Sequence, residues 1–104
     1  MGNDAPRITG PTLKVISQLM AAPLKGMSGS EISKETGLSS GTLYPLLFRL
    51  EKAGWLSSEW ETLNPSEAGR PRKRFYTLTG HGVREATEAF KDVAHVNGRL
   101  VWES

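Results

Sequence analysis

The sequence predicts a mainly helical domain carrying one β-hairpin, and three observations support that fold class. Apolar residues recur at helical spacing in successive segments up to residue 53. A short alternating run, a polar tip and a second run rich in aromatic and β-branched residues then follow, as in a pair of strands. A last periodic stretch closes the chain. Helix, helix-turn-helix, hairpin and helix is the order of a winged helix-turn-helix with a C-terminal helix.

The elements follow one by one. Residues 1–10 read as a flexible lead-in. In Thr12 to Ala22, Leu13, Ile16, Leu19 and Met20 fall on one face of an amphipathic helix that Pro23 ends. Ser28 and Glu31 form a capping-box pair that opens a brief helix carrying Ile32 inward, and Gly37 suits its left-handed end. Ser39 or Ser40 can cap a third helix, with Leu43, Leu46, Leu47 and Leu50 as its core stripe. Pro45 lies near its start and forfeits about one backbone hydrogen bond; Gly54 stops it after Ala53.

Trp55 to Glu61 alternates, with Leu56 and Trp60 on one face and Ser57, Glu59 and Glu61 on the other. Asn64 to Gly69 cannot continue a strand, and Lys73 to Leu78 forms the second one. An isolated hairpin is marginal in water, so this one must pack on the helices. Thr79 can cap a last helix, with Gly80 and Gly82 loosening its start. Along it Val83, Ala86, Phe90, Val93, Asn97 and Leu100 form a heptad-like seam with one polar member. Such a short seam needs a partner, and a second copy of the chain is the expected one. The expected division is therefore a lead-in at 1–10, a winged helix-turn-helix at 11–79 and a dimerisation helix at 80–104.

Composition bounds the function. A chain of 104 residues is one domain, too short for a barrel of roughly 250 residues or a dinucleotide fold with a substrate domain. The absence of cysteine excludes disulfides, thiolate metal sites and a cysteine nucleophile. Met1 to Pro6 has no secretory character, and the longest near-apolar run, Leu19 to Leu24, falls far below the ~20 residues of a membrane span. A cytoplasmic location, with no membrane partner, is the expectation.

Catalytic constellations are missing. His81 and His95 read as surface or interface residues rather than metal ligands, and Gly80-His81-Gly82 is too short to cradle a phosphate. Glu59 and Glu61 read as solvated carboxylates on an exposed strand face. No enzyme, metal or cofactor is expected.

Charge is more informative once it is placed. The net charge is only +2, yet residues 68–84 contain no acid and hold Arg70, Arg72, Lys73, Arg74 and Arg84. Four of these gather at the end of the hairpin loop, where a projecting basic group can displace the counterions of a polyphosphate. Pro71 stiffens that run, and Gly69 permits close backbone approach. On the third helix, the face opposite the leucines carries Gly41, Thr42, Pro45, Phe48, Arg49 and Lys52, with Tyr44 at its flank. Its first turn, with Ser39, Ser40 and Thr42, is small and polar, as suits a helix entering a major groove. Arg49 suits a guanine edge or a phosphate. Phe48 is expected to pack under the hairpin rather than meet a thymine methyl. Double-stranded DNA is the expected partner.

The segments Ser39-Ser40-Gly41-Thr42-Leu43-Tyr44-Pro45-Leu46-Leu47, Arg49-Leu50-Glu51, Gly54-Trp55-Leu56, Gly69-Arg70-Pro71-Arg72-Lys73 and Tyr76-Thr77-Leu78-Thr79 together resemble the PadR family of bacterial transcriptional regulators. The resemblance is strongest over residues 39–79. It implies a winged helix-turn-helix homodimer that binds a palindromic operator, usually as a repressor. It also implies contacts to DNA from Thr42, Tyr44, Pro45, Arg70, Arg72 and Lys73. The second helix departs from it: Met27-Ser28-Gly29-Ser30-Glu31-Ile32 is more similar to the MarR-type winged helices. A small-molecule effector is left open. The competing reading is a winged helix that binds protein partners, which an apolar recognition face and a neutral or acidic wing would favour.

Overall fold

Side-chain caps fix the starts of the first two helices. The computed structural model describes residues 9–22, 25–91, 94–96 and 99–101. Helix α1, Gly10–Met20, starts behind Thr9, whose hydroxyl accepts from the Thr12 amide at 3.4 Å. It lies two residues earlier than its apolar period suggests, because Thr9 caps it and Pro11 is tolerated in the first turn. Leu13, Val15, Ile16 and Leu19 are buried.

Helix α2, Gly29–Thr36, is closed at its start by the capping box. The Ser28 hydroxyl accepts from the Glu31 amide at 3.2 Å, and the Glu31 carboxylate accepts from the Ser28 amide at 2.9 Å. Gly37 ends it at a φ of 77°. The turn into α3, Ser40–Lys52, is tied by Ser33 Oγ donating to the Leu38 carbonyl at 2.6 Å. Ser39 is the N-cap of α3, and Leu43, Leu46, Leu47 and Leu50 are at most 4% exposed. Pro45 sits inside this helix and denies the Gly41 carbonyl its usual donor.

Strands β2, Leu56–Trp60, and β3, Arg74–Leu78, pair antiparallel from Leu56↔Leu78 to Trp60↔Arg74. A third strand, β1 at Met27–Ser28, joins the other edge of β3. It is too short to have a readable period, and its pairing fixes the start of α2 against the hairpin. The hairpin tip holds one helical turn, α4 at Pro65–Ala68, capped by Asn64 and ended by Gly69 at a φ of 70°.

Helix α5, Gly80–Lys91, is anchored through Thr79. The Thr79 hydroxyl donates to the Gly54 carbonyl at 2.6 Å and accepts from the Gly82 amide at 2.9 Å. Gly82 then lies against the Trp55 backbone, where a Cβ would stand 2.8 Å from the carbonyl carbon. Since backbone has to give way, Gly82→Ala is expected to lower stability by about 1–3 kcal/mol in spite of its better helix propensity. A thermal melt checks this; an unchanged midpoint would mean that α5 does not press on Trp55.

The expected helix over 80–104 is corrected here, because α5 stops at Lys91. Strands β4, Ala94–Val96, and β5, Arg99–Val101, pair antiparallel after it. Their register sets Ala94 opposite Val101 and Val96 opposite Arg99. The heptad-like seam is therefore not one helical stripe. Ala86 is fully buried in the chain's own core, Phe90 packs against that core, and Val83 is 40% exposed. Leu100 lies in β5, paired with His95; Val93 and Asn97 fall outside the described residues.

The core joins α1, α2 and the leucine stripe of α3 to Trp55, Leu56, Tyr76 and Ala86. Among the described residues every buried side-chain nitrogen or oxygen has a hydrogen-bond partner. None of the described helices is long and apolar enough to cross a membrane.

Candidate nucleic-acid interface

Burying the leucines of α3 turns its opposite face outward. Ser39, Ser40, Gly41, Thr42, Tyr44, Pro45, Phe48, Arg49 and Lys52 are all exposed. Ser39 Oγ donates to Thr42 Oγ1 at 3.4 Å. Tyr44 lies directly over Gly29 at the start of α2, where a Cβ would come within 2.8 Å of the Tyr44 ring carbon Cε1. A glycine at this point lets the recognition-type helix approach its neighbour.

Phe48 corrects the sequence expectation. It is 65% exposed rather than packed under the hairpin, with Lys52 Nζ 6.0 Å from its ring centroid. The hairpin's polar contacts to α3 go instead to Glu51, from Ser58 Oγ at 2.6 Å and Arg74 Nη2 at 3.4 Å. Glu51, Tyr44, Phe48, Lys52, Arg74 and Tyr76 line an open groove of about 410 Å³.

The four basic residues of the wing separate into two kinds. Arg70 is held by Glu61 through a two-pronged ion pair, Nη1 to Oε1 at 2.8 Å and Nη2 to Oε2 at 3.0 Å. Arg74 donates from Nε to Ser58 Oγ at 2.8 Å and from Nη2 to Glu51 at 3.4 Å, while its guanidinium lies 5.3 Å from the Trp60 ring centroid. These two bases hold the wing together and tie it to α3. Arg72 uses only Nε, toward the Leu63 carbonyl at 3.0 Å, and its side chain is otherwise outward; Lys73 is exposed beside it.

Glu61 is thus an anchor rather than the solvated carboxylate expected of it. It accepts from both Arg70 nitrogens and from the Lys73 amide at 2.9 Å, closing the loop between β2 and β3. The Arg70 hydrogen bond, helped by the Lys73 amide, lowers its pKa from 4.5 to about 2, and the same contact raises that of Arg70. Because the folded value is depressed, the carboxylate's contribution to wing order is complete above about pH 4.5 and lost as pH falls through about 2. An NMR titration of the Glu61 carboxyl carbon should therefore show a midpoint near 2. A midpoint in the ordinary carboxylate range would mean that the anchor is open in solution.

Between the wing and the two helix starts lies a second groove of about 380 Å³, lined by Ser28, Gly29, Ser30, Tyr44, Trp60, Arg72, Lys73, Arg74 and Tyr76. Trp60 is 58% exposed there, since β2 runs past the core before it ends. The hydroxyls of the first turn of α3, the cations Arg49, Lys52, Arg72 and Lys73, and three aromatic rings thus face solvent from α3 and the wing. Sequence reasoning did not single out Trp60 or the anchoring role of Glu61; both depend on the Trp60↔Arg74 register and on loop closure. Among the described residues no three His, Cys, Asp or Glu side chains cluster as a metal site.

The family model described as the transcriptional regulator PadR-like family matches residues 21–88. Among curated protein sequences none matches the chain significantly. Among solved structures, a PadR family transcriptional regulator from Eggerthella lenta is 30% identical, with a TM-score of 0.60 over 75% of this chain and 66% of that one. AbfR of Staphylococcus epidermidis is 28% identical, with a TM-score of 0.65 over 84% of this chain and 54% of its own. The transcriptional repressor CouR, bound to a 23-mer DNA duplex, is 22% identical, with a TM-score of 0.67 over 82% of this chain and 54% of its own. The last likeness is one of fold. This chain spans about half to two thirds of the length of such structures.

Proposed function

The chain belongs to the PadR-like family of transcriptional regulators, and from that membership we propose that it binds double-stranded DNA as a homodimer and represses transcription from a palindromic operator. Helix α3 enters the major groove by its N-terminal turns, with Ser39, Ser40, Thr42, Tyr44, Pro45 and Arg49 toward the duplex. In a dimer the two such helices lie about 34–36 Å apart, one turn of DNA. Arg72 and Lys73 meet the sugar–phosphate backbone, while Arg70 and Arg74 hold the wing in the shape that presents them. Regulators of this kind act where the DNA is, in the cytoplasm, and act by binding rather than by catalysis.

One observation supports this reading above the others. Tyr44 of the exposed face of α3 and the outward cations Arg72 and Lys73 of the wing line the same open groove. Dimerisation through the region 80–104 remains part of the proposal, with Val83 as the exposed apolar residue of α5 and the paired strands β4 and β5 beyond it.

Selection of bound duplexes from a random DNA pool, with a sizing measurement on the free protein, tests the proposal. A palindromic motif and a dimer are expected. No enrichment would refute sequence-specific DNA binding and favour a protein-interaction module; a monomer on an asymmetric site would refute the symmetric arrangement.

A further inference from the structure

The geometry points to Phe48 as a reader of thymine, its ring seated on 5-methyl groups in the major groove; this rests on the DNA binding proposed above. Phe48 is one residue from Leu47, which is 1% exposed, yet it stands 65% exposed on the opposite side of α3. Folding gives no reason for so large an apolar group there.

The chemistry of the surrounding face narrows what it can read. Adenine is best recognised by a side-chain carboxamide, and cytosine by a carboxylate. Helix α3 carries no Asn, Gln or Asp, and its one carboxylate, Glu51, is engaged by Ser58 at 2.6 Å and by Arg74. Arg49 and Lys52 suit guanine or phosphate. The hydroxyls of Ser39, Ser40 and Thr42 can bond either kind of base edge and so discriminate little, whereas the feature that marks an A·T pair for an apolar group is the thymine methyl. Pro45, one turn earlier on the same exposed face, extends the apolar strip toward the helix start. The flanking charges match a duplex rather than an apolar protein groove: Lys52 stands over the Phe48 ring, and Arg49 is its neighbour.

The test uses the duplex recovered by selection, with each thymine replaced in turn by deoxyuridine. That change removes one methyl and leaves base pairing and backbone charge intact. The full chain should lose about fourfold in affinity at a contacted position, the worth of one buried methyl. Phe48→Ala should bind the thymine duplex more weakly and show no further loss on the uracil duplex. Phe48→Leu, which keeps an apolar group, should retain part of the discrimination. Both variants should melt with the parent chain, as the site is exposed. A uracil penalty that persists in Phe48→Ala, or affinity indifferent to uracil at every position, overturns the assignment while leaving DNA binding intact. Failure to recover any preferred duplex overturns both.

Discussion

Replacing Leu47 by Ala is expected to destabilise the fold by about 2–5 kcal/mol, the range for removing a buried leucine from a packed core. The residue is 1% exposed and sits in the cluster that joins α3 to Ile16, Leu19, Ile32 and Tyr76. Small domains have only about 5–15 kcal/mol in total, so this one change should shift the denaturant midpoint markedly. The neighbouring Phe48→Ala should shift it by no more than about 0.5 kcal/mol. A small effect at Leu47 would show that the leucine stripe does not hold α3, and with it the orientation of the whole outer face.

Removing Arg72 and Lys73 together should weaken DNA binding by roughly 100-fold at low salt, counting about tenfold for each charge-assisted contact. The loss should be similar on preferred and random duplexes, because phosphate contacts carry no sequence information. The slope of log affinity against log salt should fall in magnitude by about 1.8, or 0.9 per phosphate. Arg74→Ala should act differently. Its guanidinium binds Ser58 and Glu51 and covers Trp60, so its loss should loosen the hairpin against α3 before it alters the salt slope. Equal slopes for the parent and the Arg72/Lys73 double variant would place the wing away from the backbone.

Local rules made much of this fold legible. The Ser28–Glu31 capping box, the left-handed Gly37, the leucine stripe and the Thr79 cap each depend on residues close in sequence, and each is formed. The recognition-type face was legible for the same reason, since a buried stripe dictates its opposite. Tertiary register decided the rest. Whether a wing arginine is free depends on what stands across the sheet: Trp60 opposite Arg74, and Glu61 within reach of Arg70. The four cations that the sequence places together at the hairpin loop thus become two structural ones and two outward ones. At the C-terminus a local pattern misled. A 3-4 apolar spacing argued for helix through residue 100, whereas the antiparallel pairing of Ala94–Val96 with Arg99–Val101 follows from cross-strand contacts that a helical period does not encode. Strand β1 had no period to read, because two residues pair only once β3 is in place.

The central claim is that one face, the outer side of α3 with the wing, meets DNA. It is tested most directly by following the backbone amide resonances while the selected duplex is added. The shifts should concentrate on residues 39–52 and 70–74, with the Trp60 indole moving as well and α1 and the inner side of α5 left nearly still. Perturbations centred on α1 or α5, with 39–52 and 70–74 unchanged, would contradict the assignment of this face.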